Sequence, residues 1–201
     1  MIVKKMPILQ GFPDFETVKK LTKSHVLSEH FVPVFYDIET TGLSRNSTFL
    51  YLVGAVAYDG INWQMYQWMI ENESEEPELL KMFSEFLQNF SCTIQYNGDS
   101  FDQPYLEARY QIYGLPSPFE SLPSLDLYRQ LKPVKGLLKL SKMNQPSVEA
   151  FLGIDQRDYC DGGACIRHYK QFASGKKKEA ADIVLGHNQE DLLGLGKILS
   201  M

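Results

Sequence analysis

Two acidic residues at the end of an apolar run constrain this chain more than any other feature. Residues 33–42 have the sequence PVFYDIETTG, and the β-branched, aromatic and apolar residues before Asp37 predict a buried strand. Side chains alternate along a strand, so Asp37 and Glu39 project from the same face. Burying two like charges side by side is costly unless a cation or hydrogen-bond donors compensate. Because hard divalent metals prefer carboxylate oxygen, this strand predicts a metal site.

A second β-rich segment can supply another carboxylate. Residues 92–97 favour a short strand, and Gly98 suits the turn that follows it. Asp102 then opens a helix just before Pro104, a residue suited to the first helical turn. Asp99 lies in the same turn, so the spacing alone leaves two acidic candidates in this segment.

The third acidic segment lies in a C-terminal helical pattern. His187 and Asp191 are four residues apart, so both side chains lie on one face of the helix. The neighbouring Glu190 points roughly 100° away, which is the rotation per residue of an α-helix. His187 and Asp191 are therefore the residues of this helix that could join the strand carboxylates.

In their order along the chain, these motifs resemble those of the DEDD superfamily of 3′–5′ exonucleases. The resemblance is closest to the YprB-like branch, which is related to the exonuclease domain of family B DNA polymerases. It covers about residues 34–199 and implies a ribonuclease H-like fold. The family pattern places the second-motif aspartate after phenylalanine, which favours Asp102 over Asp99. The matching motifs are Asp37-x-Glu39, Asn97-x-x-x-Phe101-Asp102 and His187-x-x-x-Asp191.

The third motif departs from the family pattern. The family has Tyr-x-x-x-Asp, or a histidine with four intervening residues before the aspartate, whereas His187 has three. A histidine thus occupies the tyrosine position, and helical geometry still places it beside Asp191.

The resemblance also implies a cofactor and a set of catalytic residues. Two divalent metal ions, Mg²⁺ or Mn²⁺, would serve a two-metal hydrolysis of phosphodiester bonds, with His187 as the general base. The implied metal ligands are Asp37, Glu39, Asp102 and Asp191.

The implied partner is nucleic acid, DNA or RNA, presented as a single-stranded 3′ end. By the same resemblance, Thr40, Thr41 and Leu43 would receive the terminal nucleotide. Asn97 and Phe101 would shape the pocket beside it. Neighbouring tyrosines and phenylalanines could stack on unpaired bases.

Two other functions are compatible with parts of this pattern. A ribonuclease H-type endonuclease uses similar metals but cuts internally. A catalytically silent nucleic-acid-binding module would have no need for four converging carboxylates. The sequence leaves the choice between DNA and RNA and the oligomeric state open.

The charge distribution bears on the nucleic-acid partner. The formal net charge is −5, whereas phosphate binding usually needs a basic surface. Two divalent ions would cancel the charges of the four motif carboxylates, after which local lysine clusters could suffice. The two clusters are Lys132, Lys135, Lys139 and Lys142, and residues 176–178. An ordinary solvated surface is the favoured interpretation of the run at residues 176–178, whereas for the earlier stretch the two interpretations stay open.

Composition limits the remaining classes of protein to which this chain could belong. Hydrophobic residues make up 44% of the 201 residues, enough for a substantial core, and no apolar run approaches the ~20 residues needed to span a bilayer. The sequence therefore predicts no membrane partner. Three cysteines are too few for a disulfide framework, so cytoplasmic residence is expected. A zinc site of Cys160, Cys165 and His168 is disfavoured by its irregular spacing.

Two smaller features have competing interpretations. Asp126 either supports the site from behind or caps a helix. The segment Gly194-Leu195-Gly196-Lys197 looks like a fragment of a phosphate-binding loop. It lacks the upstream glycine and the preceding strand of such a loop, so we reject that function.

The element pattern predicts an α/β protein with a ribonuclease H-like three-layer fold. A mixed five-stranded sheet would carry helices on both faces. Residues 1–30 are expected to form an N-terminal extension with a short helix, and residues 31–201 the exonuclease domain. The Asp59-Gly60 pair predicts a hairpin turn. The five predicted strands are about 32–39, 48–58, 62–71, 92–97 and 124–128.

Overall fold

The computed structural model describes residues 1–22, 31–154, 161–175 and 177–200. Cys160 and Lys176 lie outside these residues, and the boundary expected between residues 30 and 31 falls at the edge of a gap. The strands are β1 (Ile2–Pro7), β2 (Pro33–Thr40), β3 (Leu50–Tyr58), β4 (Trp63–Met69), β5 (Cys92–Gln95) and β6 (Ser124–Asp126). The helices are α1 (Phe15–Thr22), α2 (Glu76–Leu87), α3 (Asp102–Ile112), α4 (Leu127–Leu131), α5 (Gln145–Phe151), α6 (Gly162–Gly175) and α7 (Lys178–Leu199).

The strands form one mixed sheet in the order β1-β4-β3-β2-β5-β6. The first four pair antiparallel, whereas β5 pairs parallel with both β2 and β6. The predicted hairpin between β3 and β4 is confirmed. Gly60 adopts a positive φ of 99° there, and the Asp59 carboxylate accepts hydrogen bonds from the backbone amides of Ile61 and Asn62.

The sheet has six strands rather than the predicted five. The additional strand, β1, pairs antiparallel with β4 at one edge. Lys4 and Lys5 interrupt any apolar alternation in this segment, which is why its sequence does not indicate a strand. An edge strand needs only backbone pairing and one covered face, and Val3 is accordingly 55% exposed. The division at residue 30 stays a prediction, with β1 belonging to the common sheet.

The alternation along β2 divides the core between the two faces of the sheet. Tyr36 packs on one face against Phe83 of α2 at a ring distance of 5.6 Å, in a cluster that includes Tyr105 and Tyr110 of α3. Phe35 lies in a second cluster with Leu192 and Leu195 of α7. The predicted α/β class with helices on both faces is confirmed, and α7 lies over the face to which Asp37 and Glu39 belong.

Candidate metal centre

Strand β2 places the first two carboxylates at the point where its regular pairing ends. Asp37 lies opposite Gly54 and Glu39 opposite Leu52, and the register with β3 shifts between Glu39 and Thr40. Glu39 is 8% exposed and Asp37 is half-buried. The strand alternation therefore delivers two poorly solvated carboxylates to the same face.

Helix α7 brings the third motif onto that face. His187 Nε2 lies 3.2 Å from Asp191 Oδ2 and 3.4 Å from Glu39 Oε1. One ligand atom from each of these three residues lies within 4.8 Å of the others. Tyr51 on β3 also reaches Glu39, donating its hydroxyl to Oε2 at 3.4 Å. The four-residue helical spacing thus joins His187 and Asp191 to a carboxylate 148 to 152 positions earlier in the chain.

The charged form of the Asp37 carboxylate is disfavoured in this group. Burial raises its pKa well above the usual range, and the charges of Asp191, Asp102 and Glu39 raise it further. One hydrogen bond opposes this effect, because Asn188 Nδ2 donates to Asp37 Oδ2 at 2.8 Å. A divalent cation would relieve the mutual repulsion of these carboxylates.

Asp102 is the first residue of α3 and is 8% exposed. Burial raises its pKa to about 7, backbone amides lower it, and the charges of Asp126 and Asp191 raise it. Asp102 and Asp37 line the same cavity, and the charge of Asp191 raises the pKa of both, so the second motif lies near the first.

The turn before Asp102 is held by Asp126. Asn97 has a positive φ of 60°, and its amide donates to Asp126 Oδ1 at 2.8 Å. The amide of Asp99 donates to the other oxygen at 3.2 Å. Asp126 also caps α4 by accepting from the amide of Tyr128 at 2.9 Å. Both interpretations of Asp126 therefore apply, since one carboxylate caps a helix and fixes the turn that leads to Asp102.

Asp99 is committed to other contacts. Its Oδ2 accepts from Arg129 Nη1 at 2.6 Å, and its Oδ1 accepts from Ser124 Oγ at 2.9 Å. Gln95 Nε2 donates to Oδ1 at 3.0 Å. These partners turn the Asp99 carboxylate towards β6 and α4, whereas Asp102 faces the acidic cluster.

A cavity of about 570 Å³ opens beside the carboxylates. Asp37 and Asp102 lie in its wall together with Asn97 and Phe101, two of the residues expected to contact the nucleotide. Another part of the lining carries aromatic and cationic side chains, namely Tyr96, Tyr128, Lys132 and Lys135. The rings of Tyr96 and Tyr128 meet edge to face at 5.9 Å, and Lys132 Nζ lies 5.7 Å from the centre of the Tyr128 ring.

The other three residues expected at the nucleotide lie in the loop after β2. Thr40 Oγ1 donates to the carbonyl of Gly42 at 2.9 Å, and Thr41 Oγ1 accepts from the amide of Phe49 at 3.0 Å. These bonds shape the loop that carries Leu43, whose side chain is 85% exposed. The lining residues of the cavity do not include Thr40, Thr41 or Leu43.

Sequence reasoning missed several polar residues that support the centre. Asn188 and Gln67 are 0% and 1% exposed, and they are joined by a hydrogen bond of 2.9 Å. Gln67 does carry a local signal, because it is an amide within the otherwise apolar and aromatic end of β4. Its contact with α7 joins residues 121 positions apart, which no local pattern indicates.

The competing motifs do not form sites in the described part of the chain. The metal-ligand group found there consists of Glu39, His187 and Asp191, and includes neither Cys165 nor His168. Gly194 and Gly196 lie within α7, where they permit close packing. A Cβ at Gly194 would lie 1.9 Å from Glu149 Oε1, and a Cβ at Gly196 would lie 2.4 Å from the Phe12 ring.

The donor set fits hard divalent cations. Asp37 and Glu39 come from the end of β2, Asp102 from the start of α3 and Asp191 from α7, and burial disfavours the charged forms of Asp37 and Asp102. Oxygen ligands of this kind suit Mg²⁺ or Mn²⁺. Residues 34–201 match a family model described as the RNase_H superfamily. This chain belongs to the RNase H superfamily.

Two similar proteins are DNA polymerases. The family B DNA polymerase of the hyperthermophilic archaeon Pyrobaculum calidifontis superposes with a TM-score of 0.67 at 14% sequence identity. That match covers 84% of this chain and 24% of the polymerase, and it supports the ribonuclease H-like fold. A DNA polymerase of Methanocaldococcus jannaschii is 48% identical over 46 residues, which are 23% of this chain and 3% of that protein. This chain therefore spans a small part of each.

The superfamily, whose members are typically nucleases acting on nucleic acid with divalent metals, agrees with the acidic centre. None of the helices in the described ranges is long and apolar enough to cross a membrane.

Proposed function

We propose that this protein is a metal-dependent 3′–5′ exonuclease of the DEDD superfamily, of the YprB-like type. Its substrate is the 3′ end of a single-stranded nucleic acid, DNA or RNA, and its place of action is the cytoplasm. The observation that carries the proposal is the convergence of three sequence motifs on one face of the sheet. Asp37 and Asp102 line a cavity there, and Glu39 of β2 lies together with His187 and Asp191 of α7.

In this function, Asp37, Glu39, Asp102 and Asp191 hold two divalent ions, Mg²⁺ or Mn²⁺. When bound, such ions lower the pKa of water and stabilise charge on the leaving oxygen. Burial destabilises the charged carboxylates in the metal-free protein. In the metal-bound protein the same burial is favourable, because a lower dielectric constant strengthens the attraction between carboxylate and cation.

His187 is the general base of the proposed reaction. Its Nε2 atom lies between Glu39 and Asp191, so the imidazole is adjacent to two of the ligands. An imidazole there can accept a proton from the attacking water and is held by the two carboxylates once protonated. It occupies the helix position at which the resembling family carries a tyrosine.

The cavity suits a single strand. Unpaired bases stack on aromatic rings, and Tyr96 and Tyr128 line the cavity. Lys132 and Lys135 can neutralise backbone phosphates on the substrate. Asn97 and Phe101 shape the pocket wall next to Asp102. The exposed Leu43, with Thr40 and Thr41 at the base of its loop, would meet the terminal nucleotide from outside that wall.

End-labelled substrates test this function directly. With Mn²⁺, a 3′-labelled single strand should release labelled mononucleotide at once, whereas a 5′-labelled strand should shorten stepwise. The Asp102→Asn variant serves as the inactive control. DNA and RNA strands of the same sequence establish the preferred sugar.

Each rival function gives a different result in the same assay. Cleavage of circular single-stranded DNA, or internal fragments as first products, would establish an endonuclease. Strand binding without any metal-dependent product would establish a silent binding module. Either result would overturn the exonuclease proposal.

A further inference from the structure

A row of residues crosses the sheet behind Asp37. Gln67 on β4 pairs in register with Gly54 on β3, which pairs in register with Asp37 on β2. Asn188 of α7 lies over this row. Its side chain is completely buried, and that of Gln67 is only 1% exposed. Buried amides are costly unless they are hydrogen-bonded, so their partners indicate why they are there.

The hydrogen bonds in this row run in one direction. Gln67 Nε2 donates to the backbone carbonyl of Leu185 at 2.8 Å and to Asn188 Oδ1 at 2.9 Å. Asn188 Nδ2 then donates to Asp37 Oδ2 at 2.8 Å.

The direction follows from chemistry rather than from an arbitrary choice of amide orientation. A backbone carbonyl can only accept, so Gln67 must turn its NH₂ group towards Leu185. That NH₂ group also meets Asn188, which must therefore offer its oxygen. The NH₂ group of Asn188 is then left to face Asp37, and it donates to Oδ2 of that carboxyl group.

Gly54 provides the space for this arrangement. A Cβ atom at position 54 would lie 2.0 Å from Asn188 Oδ1 and 2.7 Å from Leu192 Cδ1. Any side chain there would displace Asn188 or lift α7 from the sheet. The glycine in the middle of a buried strand thus lets the helix amide approach Asp37 across the sheet surface.

We propose that Gln67 and Asn188 are positioning residues that orient the Asp37 carboxylate for metal binding. This inference rests on the proposed metal-dependent function. Gln67 and Asn188 would support the cation site without being ligands themselves. Asn188 donates to Oδ2 of Asp37, so Oδ1 is the oxygen that would ligate a cation. Gln67 contacts Asn188 and acts through it from two strands away. Loss of such a supporting partner typically weakens metal affinity by about 10–100-fold.

The test is calorimetric titration with Mn²⁺ alone, without nucleic acid. Gln67→Leu should raise the dissociation constant at least about tenfold. The matched control is Gln64→Leu on the same strand, because Gln64 is also buried but donates to Asp59. The control should keep wild-type affinity. Gly54→Ala, which displaces Asn188 without changing a polar group, should weaken binding in the same way as Gln67→Leu.

A double-mutant cycle separates positioning from simple loss of stability. The effect of Gln67→Leu on Mn²⁺ affinity should disappear in an Asn188→Leu background, because the side chain that links Gln67 to Asp37 has been removed. The Gln67 effect persisting unchanged in that background would contradict positioning through Asn188.

The outcomes distinguish this inference from the proposed function. Equal Mn²⁺ affinity of wild type, Gln67→Leu and Gly54→Ala would overturn the positioning role, whatever the nuclease assay shows. Gln67-dependent Mn²⁺ binding by a protein without nuclease activity would support positioning and overturn the exonuclease proposal. Wild-type protein that binds no Mn²⁺ would overturn both.

Discussion

Two of the buried acidic regions in the described part of the chain are built in opposite ways. In the first, Glu76 of α2 is 0% exposed, and Arg109 of α3 donates to both of its oxygens. Tyr113 donates to Oε2 at 2.8 Å, and the amide of Leu50 donates to Oε1 at 2.9 Å. One negative charge is thus matched by one guanidinium and two further donors.

The second region is the metal centre around Asp37. Burial and three other carboxylates raise the pKa of Asp37, whereas a hydrogen bond from the neutral amide of Asn188 lowers it. The first region is complete without a ligand, whereas the second is electrostatically unfavourable without one. Burial of an acid by itself therefore does not indicate a cation site. A buried acid indicates one when the surrounding side chains supply too few positive charges and hydrogen-bond donors to stabilise its ionised form.

The largest effect should come from removing a carboxylate of the metal centre. Asp102→Asn should lower the exonuclease rate by about 10³-fold or more, which corresponds to the several kcal/mol that catalytic metals supply. The same change should weaken Mn²⁺ binding and raise the thermal stability of the apo protein, because it relieves repulsion. Kinetics, calorimetry and thermal melts of one preparation measure all three. Unchanged Mn²⁺ affinity would mean that Asp102 is not a ligand.

Removing the His187 imidazole should lower the rate of hydrolysis without changing the affinity for Mn²⁺. His187→Ala should lower kcat by about 10²–10⁴-fold, the usual range for loss of a general base. Mn²⁺ affinity should remain close to that of the wild type, and His187→Tyr should restore part of the rate. Nearly full activity of His187→Ala would show that the imidazole is only a neighbour of Asp191.

In the Glu76 region, removing a charged side chain should lower the stability of the apo protein, whereas in the metal centre it should raise it. Arg109→Met removes the guanidinium and leaves Glu76 buried, so the free energy of unfolding should fall by about 3–5 kcal/mol. Urea denaturation of the apo protein measures this loss. The double variant Glu76→Gln with Arg109→Met should recover part of it, because no buried charge remains. A stabilising effect of Arg109→Met alone would contradict the comparison.

The pH dependence of apo stability should reveal the metal centre. An unfolded aspartate titrates near ~3.9, whereas folded Asp102 has a pKa of about 7, so between these values the folded state binds more protons. Stability should therefore fall as the pH rises from about 4 to about 7 and change little from this source above it. Asp102→Asn should flatten the decline in urea denaturation measured across this pH range. A decline that is equally steep in this variant would exclude Asp102 as its source.

The smallest effect should come from an exposed pair. Lys4 Nζ and Asp182 Oδ1 lie 3.4 Å apart with both side chains well exposed, and the pair links β1 to α7. Asp182→Asn should cost at most about 1 kcal/mol of unfolding free energy and leave Mn²⁺ affinity unchanged. A larger loss in urea denaturation would mean that β1 depends on this contact.

Short-range patterns in the sequence determined much of this protein. The alternation at Asp37 and Glu39, and the helical spacing of His187 and Asp191, place each pair on one face, because both depend only on strand and helix geometry. The Asp59-Gly60 turn follows from backbone preferences in the same way.

Tertiary structure alone decided the features that join distant segments. Strand β1 exists because β4 offers an edge, and the Glu76–Arg109 pair joins two helices 33 residues apart. The amides of Gln67 and Asn188 meet because Gly54 leaves room for α7 on the sheet. Such contacts depend on how packed elements approach in space, and the residues themselves are common polar types with no periodicity. The sequence thus indicated which polar residues share a face of their own strand or helix, whereas packing decided what surrounds and orients them.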